Sequence, residues 1–440
     1  MRVFFSGLAA LTILFAIVIA LNFRSFGTPL LTSKTLWGLG SVAAFLLAAA
    51  FKFKPKQQKR VMVVILAVLG FEAVLQLLAA IGVLPIVNSK LKAPYSRVYW
   101  SSEGRGNSVR NRWGWYYPDF DTRATNRIAA IGASLVEAVE VKPEHIHTWL
   151  LHKRLKALSP EYSVLGLGNY GSSPAFYLEV LNYAKKHFEP REAVIYIALR
   201  NDIQESSPKL HHMPPEKYEY FDLDRDGKLI INPASLEARR RFLEDLEFCH
   251  GPFLRYFPTI ILSHCMTLQL IRGVRDAEIR RQDQSARKAR NQAESLDVDA
   301  DGINLMPFAN QRSPDVEHAL AVLEAELARC KEICDGYGMK LRLVSVPVFP
   351  RVFYDTQQGT NWTMKIGNYD FLRPERELAA FAHSNGIPIL SLGNYIQSRN
   401  ISVGQIRGLF LHNGIGHFTD KGHQLCADAV FEEFYSGAVR

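Results

Sequence analysis

Three long apolar runs precede residue 93, and they constrain this chain more than anything that follows them. The first runs from Val3 to Phe23, the second from Leu36 to Phe51 and the third from Val61 to Val87. A helix that crosses a bilayer needs roughly 20 mainly apolar residues, with about 17 as the short limit. The first and third runs reach that length and the second is marginal, so residues 1–92 read as a region of three transmembrane helices. A cleaved signal peptide is the competing reading of the first run. Against it, no small-residue cleavage pattern stands out and two further runs follow.

The loops between the runs give the orientation. The second loop holds Lys52, Lys54, Lys56, Lys59 and Arg60, against Arg24 and Lys34 in the first. Basic loops stay on the cytoplasmic side. With all three runs inserted, the N-terminus is cytoplasmic and everything beyond about residue 90 lies on the extracytoplasmic (periplasmic) side of a bacterial-type cytoplasmic membrane. Glu72 and Gln76 sit one helical turn apart in the third run. A carboxyl group inside a bilayer faces protein or water rather than lipid, so Glu72 is either a contact to a neighbouring helix or membrane-protein partner, or a site residue.

The formal charge of +9 has the same origin. Residues 1–92 contain ten Lys/Arg and one acid, Glu72, whereas the other 348 residues hold 42 basic and 42 acidic side chains. The excess belongs to the membrane region, so no basic surface for nucleic acid is implied.

Residues 93–126, rich in Ser, Gly, Arg and aromatics, show neither helical nor strand period and read as a connector that packs on the domain edge. Short continuous apolar runs then recur at Arg127–Gly132, Ser163–Gly168, Ala193–Leu199, Leu341–Val346 and Ile387–Leu392. Such runs suit strands buried on both faces of a parallel sheet. Helical patterns alternate with them at Pro143–Leu158, Pro174–His187, Pro314–Tyr337, Pro374–His383 and Lys421–Tyr435. The fold class is therefore α/β, a doubly wound, mostly parallel sheet in three layers (flavodoxin-like), extending over 127–440. Residues 204–312 break the alternation and read as an insertion. It holds a hairpin (YEYFDLDRDGKLII), an apolar-aromatic segment (FLRYFPTIILSHCMTLQLI) and a charged run, Arg275–Glu294.

Function in such sheets collects beyond the carboxyl ends of the strands. Gly132-Ala133-Ser134 follows the first strand and opens a helix, a setting in which a serine hydroxyl is exposed beside helix amides. Asn169-Tyr170-Gly171 follows the second strand, and Asn201-Asp202 the third. Near the C-terminus, Asp420-Lys421-Gly422-His423 puts an acid three residues before a histidine, a spacing that suits an oriented imidazole. Each motif taken singly is better explained by a plain turn or helix cap.

In this order the blocks resemble the SGNH (GDSL-type) hydrolases. IGASLVEAVEV resembles the family's first block, Gly171 stands for the second, Asn201 for the third, and Asp420 with His423 for the fifth. The resemblance covers about 127–202 and 341–435. It implies an SGNH-hydrolase-like fold, Ser134 as nucleophile, His423 as general base and Asp420 as its orienting acid. It also implies an oxyanion hole made of the Ser134 and Gly171 amides with the Asn201 carboxamide. Two positions depart from the family pattern: Ala133 replaces the Asp of the first block, and Arg200 stands where glycine is frequent.

No metal or cofactor is called for. The strings Asp222–Gly227 and Asp297–Gly302 have the form of a calcium loop, but their twelfth positions are Pro233 and Phe308 rather than Glu. His145/His147 and His211/His212 lack further ligands at metal spacing, and sequence alone does not pair the five cysteines. The expectation is a membrane-anchored serine esterase or O-acyltransferase, acting on acyl (acetyl among them) esters of a cell-envelope or exported glycan or on a small ester. The alternative is a catalytically silent component of an envelope-polysaccharide assembly system.

Overall fold

The computed structural model describes residues 52–80, 87–88, 92–100, 104, 106–211, 213–271, 306–347, 369–411 and 417–439, with six isolated positions before residue 50. The first two apolar runs lie outside the described residues except for those six positions. So do the charged run and the second calcium-like string. Residues 61–80 of the third run lie in helix α1 (Pro55–Ala80), 81–86 lie outside the described residues, and Val87 is in a strand. Most of the described side chains of α1 are exposed, among them Val63, Val64, Leu66, Val68, Leu69, Phe71, Val74 and Leu77, while Gln58 and Leu75 are buried. Among the described residues it is the one helix long and apolar enough to cross a membrane, so the reading of three spans rests on sequence alone.

Five strands make the central sheet: β4 (Asn126–Gly132), β5 (Tyr162–Gly168), β6 (Glu192–Ala198), β9 (Lys340–Val346) and β10 (Ile389–Ser391). Their order is β10-β9-β6-β4-β5 and every pairing is parallel. Alternate residues feed two separate cores, as the two-residue period of a strand requires. Ala129, Ile131, Leu165, Ala193, Ile195 and Leu343 pack to one side, beneath α4 (Pro174–Phe188), α8 (Pro314–Gly336) and α9 (Arg373–Ser384). Ile128, Ala130, Val164, Val194 and Val344 pack to the other, beneath α3 (His147–Leu158) and α11 (Asp420–Phe434). The doubly wound α/β sheet read from the alternation is the sheet observed. The start of α8 has the cap expected of it: the Ser313 hydroxyl accepts from the Val316 amide, and Pro314 occupies the first turn.

Two segments hold more structure than their sequence suggests. The connector contributes β2 (Arg97–Trp100) and β3 (Gly106–Val109), which form an antiparallel trio with β1 (Val87–Asn88) just before it, and it buries Trp115, Tyr116, Tyr117 and Phe120. The insertion contains the expected hairpin, β7 (Phe221–Leu223) with β8 (Leu229–Ile231). There Asp224 accepts from the amides of Asp226 and Lys228, so the first calcium-like string is a turn. Two helices follow, α6 (Leu236–Glu247) and α7 (Phe253–His264). All five cysteines are free thiols.

Candidate functional site

Gly132 at the end of β4 is in register with Gly168 of β5 and Tyr196 of β6. The three following turns therefore leave the sheet at one edge, on neighbouring strands about 5 Å apart. They carry Ser134, Gly171 and Asn201. Ser134 opens the short helix α2 (Ser134–Glu137), with Ala133 as its N-cap. Its Oγ lies 2.8 Å from Nε2 of His417. On the other side of that ring, Nδ1 is 3.2 Å from Oε1 of Glu140, whose side chain is fully buried. A carboxylate only accepts, so its position favours the proton on Nδ1 and leaves the Nε2 lone pair facing the serine hydroxyl.

Glu140 follows α2 directly, past Ala138 in the left-handed conformation (φ 48°). The connector holds this segment in place. A methyl group at Gly106 would overlap the Val139 carbonyl, so only glycine allows β3 to come this close. The Tyr116 hydroxyl donates to the Val141 carbonyl at 2.9 Å. Arg110, also from the connector, pairs with Glu137 at 2.7 Å, both side chains being buried. The other oxygen of Glu137 accepts from the Tyr170 amide at 2.5 Å, which ties the second turn to α2. Trp100 of β2 packs against Tyr170 with ring centroids 5.0 Å apart, and Tyr170 in turn lies beside the His417 ring.

Gly171 has φ +70° with open space on its Cβ side, and its carbonyl accepts from the Tyr218 hydroxyl of the insertion. Asn201 lies in the first turn of α5 (Leu199–Glu205), which is fixed by Asp202. The Asp202 carboxylate accepts from the Ala198 amide at 2.8 Å and from Tyr177, and burial raises its pKa to about 7. Among the described residues, neither the Gly171 amide nor the Asn201 carboxamide engages an acceptor. The side chain of Arg200 lies outside the described residues.

The structure corrects the expected partners of Ser134. His423 is buried in the first turn of α11, beneath α3. Its Nδ1 accepts from the His147 amide at 3.3 Å and lies 3.0 Å from His147 Nδ1. Burial, and next the neighbouring His147, hold His423 neutral, with its pKa well below the usual histidine range; burial alone lowers His147 to about 3. Asp420 is at the surface, paired with His145 at 3.0 Å. Neither residue is the partner of Ser134. The reason is helical geometry: His423, Cys426, Ala427 and Val430 follow the i, i+3, i+4, i+7 stripe and all four are buried. That stripe was readable in the sequence, as was Thr419, whose hydroxyl accepts from the Gly422 amide and marks the helix start. His417 stands two residues before Thr419, outside α11 and its buried stripe, and so reaches the edge of the sheet where Ser134 lies. Glu140 stood inside the quoted first block, but nothing local distinguished it from Glu137.

One group of side chains among the described residues has the proximity of a metal site: His187, Glu247 and His250, with ligand atoms within 4.8 Å of one another. Lys186 already pairs with Glu247 at 2.7 Å, and Tyr183 bonds His250 at 3.0 Å.

No protein-family model matches the chain, and no curated protein sequence does. Solved structures do align with it. TesA aligns at 12% identity over 70% of this chain and 98% of its own, with a TM-score of 0.35. A member of the lipolytic protein G-D-S-L family from Veillonella parvula aligns at 10% identity over 70% and 98%, with a TM-score of 0.33. The psychrotrophic esterase EstA from Pseudoalteromonas sp. aligns at 9% identity over 72% and 100%, with a TM-score of 0.34.

Proposed function

We propose that this chain is a membrane-anchored serine esterase or O-acyltransferase in which Ser134 is the nucleophile, His417 its general base and Glu140 the acid that orients His417. The single observation that carries the reading is the succession Ser134 Oγ, His417 Nε2, His417 Nδ1, Glu140 Oε1, a hydrogen-bond contact of 2.8 Å followed by an ion-pair contact of 3.2 Å. A serine hydroxyl is a weak nucleophile until a positioned base takes its proton, and that base works best when a third group fixes its tautomer.

In the proposed reaction Ser134 Oγ attacks the ester carbonyl while its proton passes to His417 Nε2. The negative charge on the carbonyl oxygen meets the amides of Ser134 and Gly171 and the carboxamide of Asn201. Loss of one such donor costs ~100- to 1000-fold in rate. Collapse of the tetrahedral intermediate breaks the ester C–O bond, and His417 returns the proton to the departing alcohol. Water, or a sugar hydroxyl, then attacks the acyl-serine with His417 again taking the proton. Collapse of the second tetrahedral intermediate breaks the C–O bond to Ser134 Oγ, which takes the proton back from His417, giving hydrolysis or transfer respectively. The loop charges on either side of the second apolar run support an extracytoplasmic site, and a cell-envelope or exported glycan ester fits that location.

A fluorophosphonate probe tests the assignment without knowledge of the substrate. The purified full-length chain should label at Ser134, Ser134→Ala should not label, and His417→Ala should label ~100-fold or more slowly. Labelling of His417→Ala at the unsubstituted rate would reject the relay. A reporter active only in the cytoplasm, fused after Arg440, should be silent; activity there would reject the orientation.

A further inference from the structure

Glu72 and Gln76 are the two polar side chains between Val61 and Ala80, and both are used at one place. That place is the break between α7 and the helical residues 266–271 of the insertion. Glu72 accepts from the Met266 amide at 2.5 Å, from the Thr267 amide at 2.9 Å and from the Thr267 hydroxyl at 2.7 Å. Gln76 donates to Glu72 at 2.8 Å and to the His264 carbonyl at 2.5 Å. A helix break exposes backbone amides and carbonyls, which water satisfies for a soluble protein. Here side chains of the apolar helix satisfy them, as a break within hydrocarbon requires.

The position of the break along α1 agrees with this. Glu72 is twelve residues beyond Arg60, about 18 Å along the axis at 1.5 Å per residue. A hydrocarbon core is about 30 Å thick, so with Arg60 at the inner boundary the break sits in the outer half of the bilayer. The faces that α7 and residues 266–271 turn away from the protein are apolar: Phe253, Ile261, Leu268 and Ile271 are 40–64% exposed. They continue the exposed apolar surface of α1.

We infer that residues 253–271 enter the outer leaflet beside α1, as a broken helix whose polar backbone is sealed by Glu72 and Gln76, and that the Ser134 site therefore works on an ester carried by the bilayer. The inference rests on the proposed anchoring and extends it to the substrate. The connection to the site is short. Met266 and Leu75 pack on Tyr99, and the Arg97 amide donates to the Ser263 hydroxyl at 2.9 Å. Both residues belong to β2, whose next residue, Trp100, packs on Tyr170 beside His417. The membrane-entering segment and the wall of the site thus share one strand, which suits a substrate held in the leaflet by a lipid moiety with its ester at the surface.

The test uses the full chain in phospholipid vesicles, with Cys249 and Cys265 replaced by serine. Single cysteines at positions 68, 261, 268, 271 and 236 carry an environment-sensitive fluorophore, and the background without an added cysteine is the blank. These positions are exposed, so the fold is not challenged; far-ultraviolet circular dichroism of each variant checks it. Lipids bearing a nitroxide in the acyl chain should quench the probes at 261, 268 and 271 within about twofold of the probe at 68, and aqueous iodide should quench only the probe at 236 (Leu236 is exposed on α6). Iodide quenching at 261, 268 and 271 with lipid quenching at 68 would overturn the inference and leave the anchor standing. Iodide quenching at 68 as well would overturn the anchor and the inference together.

Discussion

Glu140→Gln removes one negative charge while nearly preserving shape, and the cost of that change follows from the geometry. When Ser134 gives up its proton, an imidazolium forms with its Nδ1 3.2 Å from the Glu140 carboxylate. At an effective dielectric constant near 20, a unit pair at 4 Å interacts by about 4 kcal/mol, so at this separation the figure is about 5 kcal/mol. The outer edge of the His417 ring is partly exposed, which screens some of it. A carboxamide can also donate to Nδ1, placing the imidazole proton on Nε2, where it blocks proton abstraction. The expected outcome is a ~10²- to 10⁴-fold slower reaction of Ser134 with the fluorophosphonate probe, each factor of ten corresponding to about 1.4 kcal/mol. The rate should be followed against pH. Without the neighbouring anion the imidazolium is less favoured, so the rise in rate with pH should start at a more acidic pH than in the unsubstituted protein. A merely structural role for Glu140 would leave that midpoint in place. His423→Leu is the matched control, removing a buried imidazole from the core without touching the relay, and the folded fraction should label at close to the normal rate. Glu140→Gln labelling within threefold of normal, with loss of labelling in His423→Leu, would refute the assignment and restore His423 as the base.

Two further outcomes follow from buried charge. Arg110→Met leaves the Glu137 carboxylate buried without its cation and should cost about 3–5 kcal/mol, read as a lower urea midpoint; an unchanged midpoint would mean the pair contributes nothing net. Acid should weaken the fold through His147 and His423. Their native pKa values are depressed by burial, to about 3 for His147, whereas the unfolded chain binds a proton near pH 6.5. The contribution is complete above that pH and declines as pH falls from about 6.5 toward 3, by about 1.4 kcal/mol per pH unit for each histidine. Urea unfolding at pH 7 and pH 5 should show the loss, and His147→Leu should reduce the slope; an equal slope in the variant would exclude His147 as the cause.

Much of the scaffold was legible because its signals are local. Continuous apolar runs bounded by turns identified five buried strands, and Ser313 with Pro314 marked the start of α8. The position of Ser134 at a strand-to-helix turn was equally local. The base was not. Two histidines stand six residues apart in HFTDKGH, and which of them meets Ser134 depends on where α11 begins and which face it buries. Spacing from Asp420 favoured His423, but packing against α3 carries that side chain into the core and leaves His417 in the loop. Glu140 was hidden for a related reason. Its burial comes from the connector, whose Gly106, Arg110 and Tyr116 close over the segment after α2 although their sequence has no regular period.

What the sequence determined alone, then, is whatever depends on neighbours a few residues apart: the α/β alternation, an apolar helix long enough for a bilayer, the D-G hairpin, and a serine at the edge of the sheet. Tertiary structure decided the partners, because a hydrogen bond across 283 residues, or a carboxylate on α1 capping a helix break 194 residues away, leaves no periodic trace in either segment. Those pairings exist only once burial has selected which polar groups are withdrawn from water and must find one another.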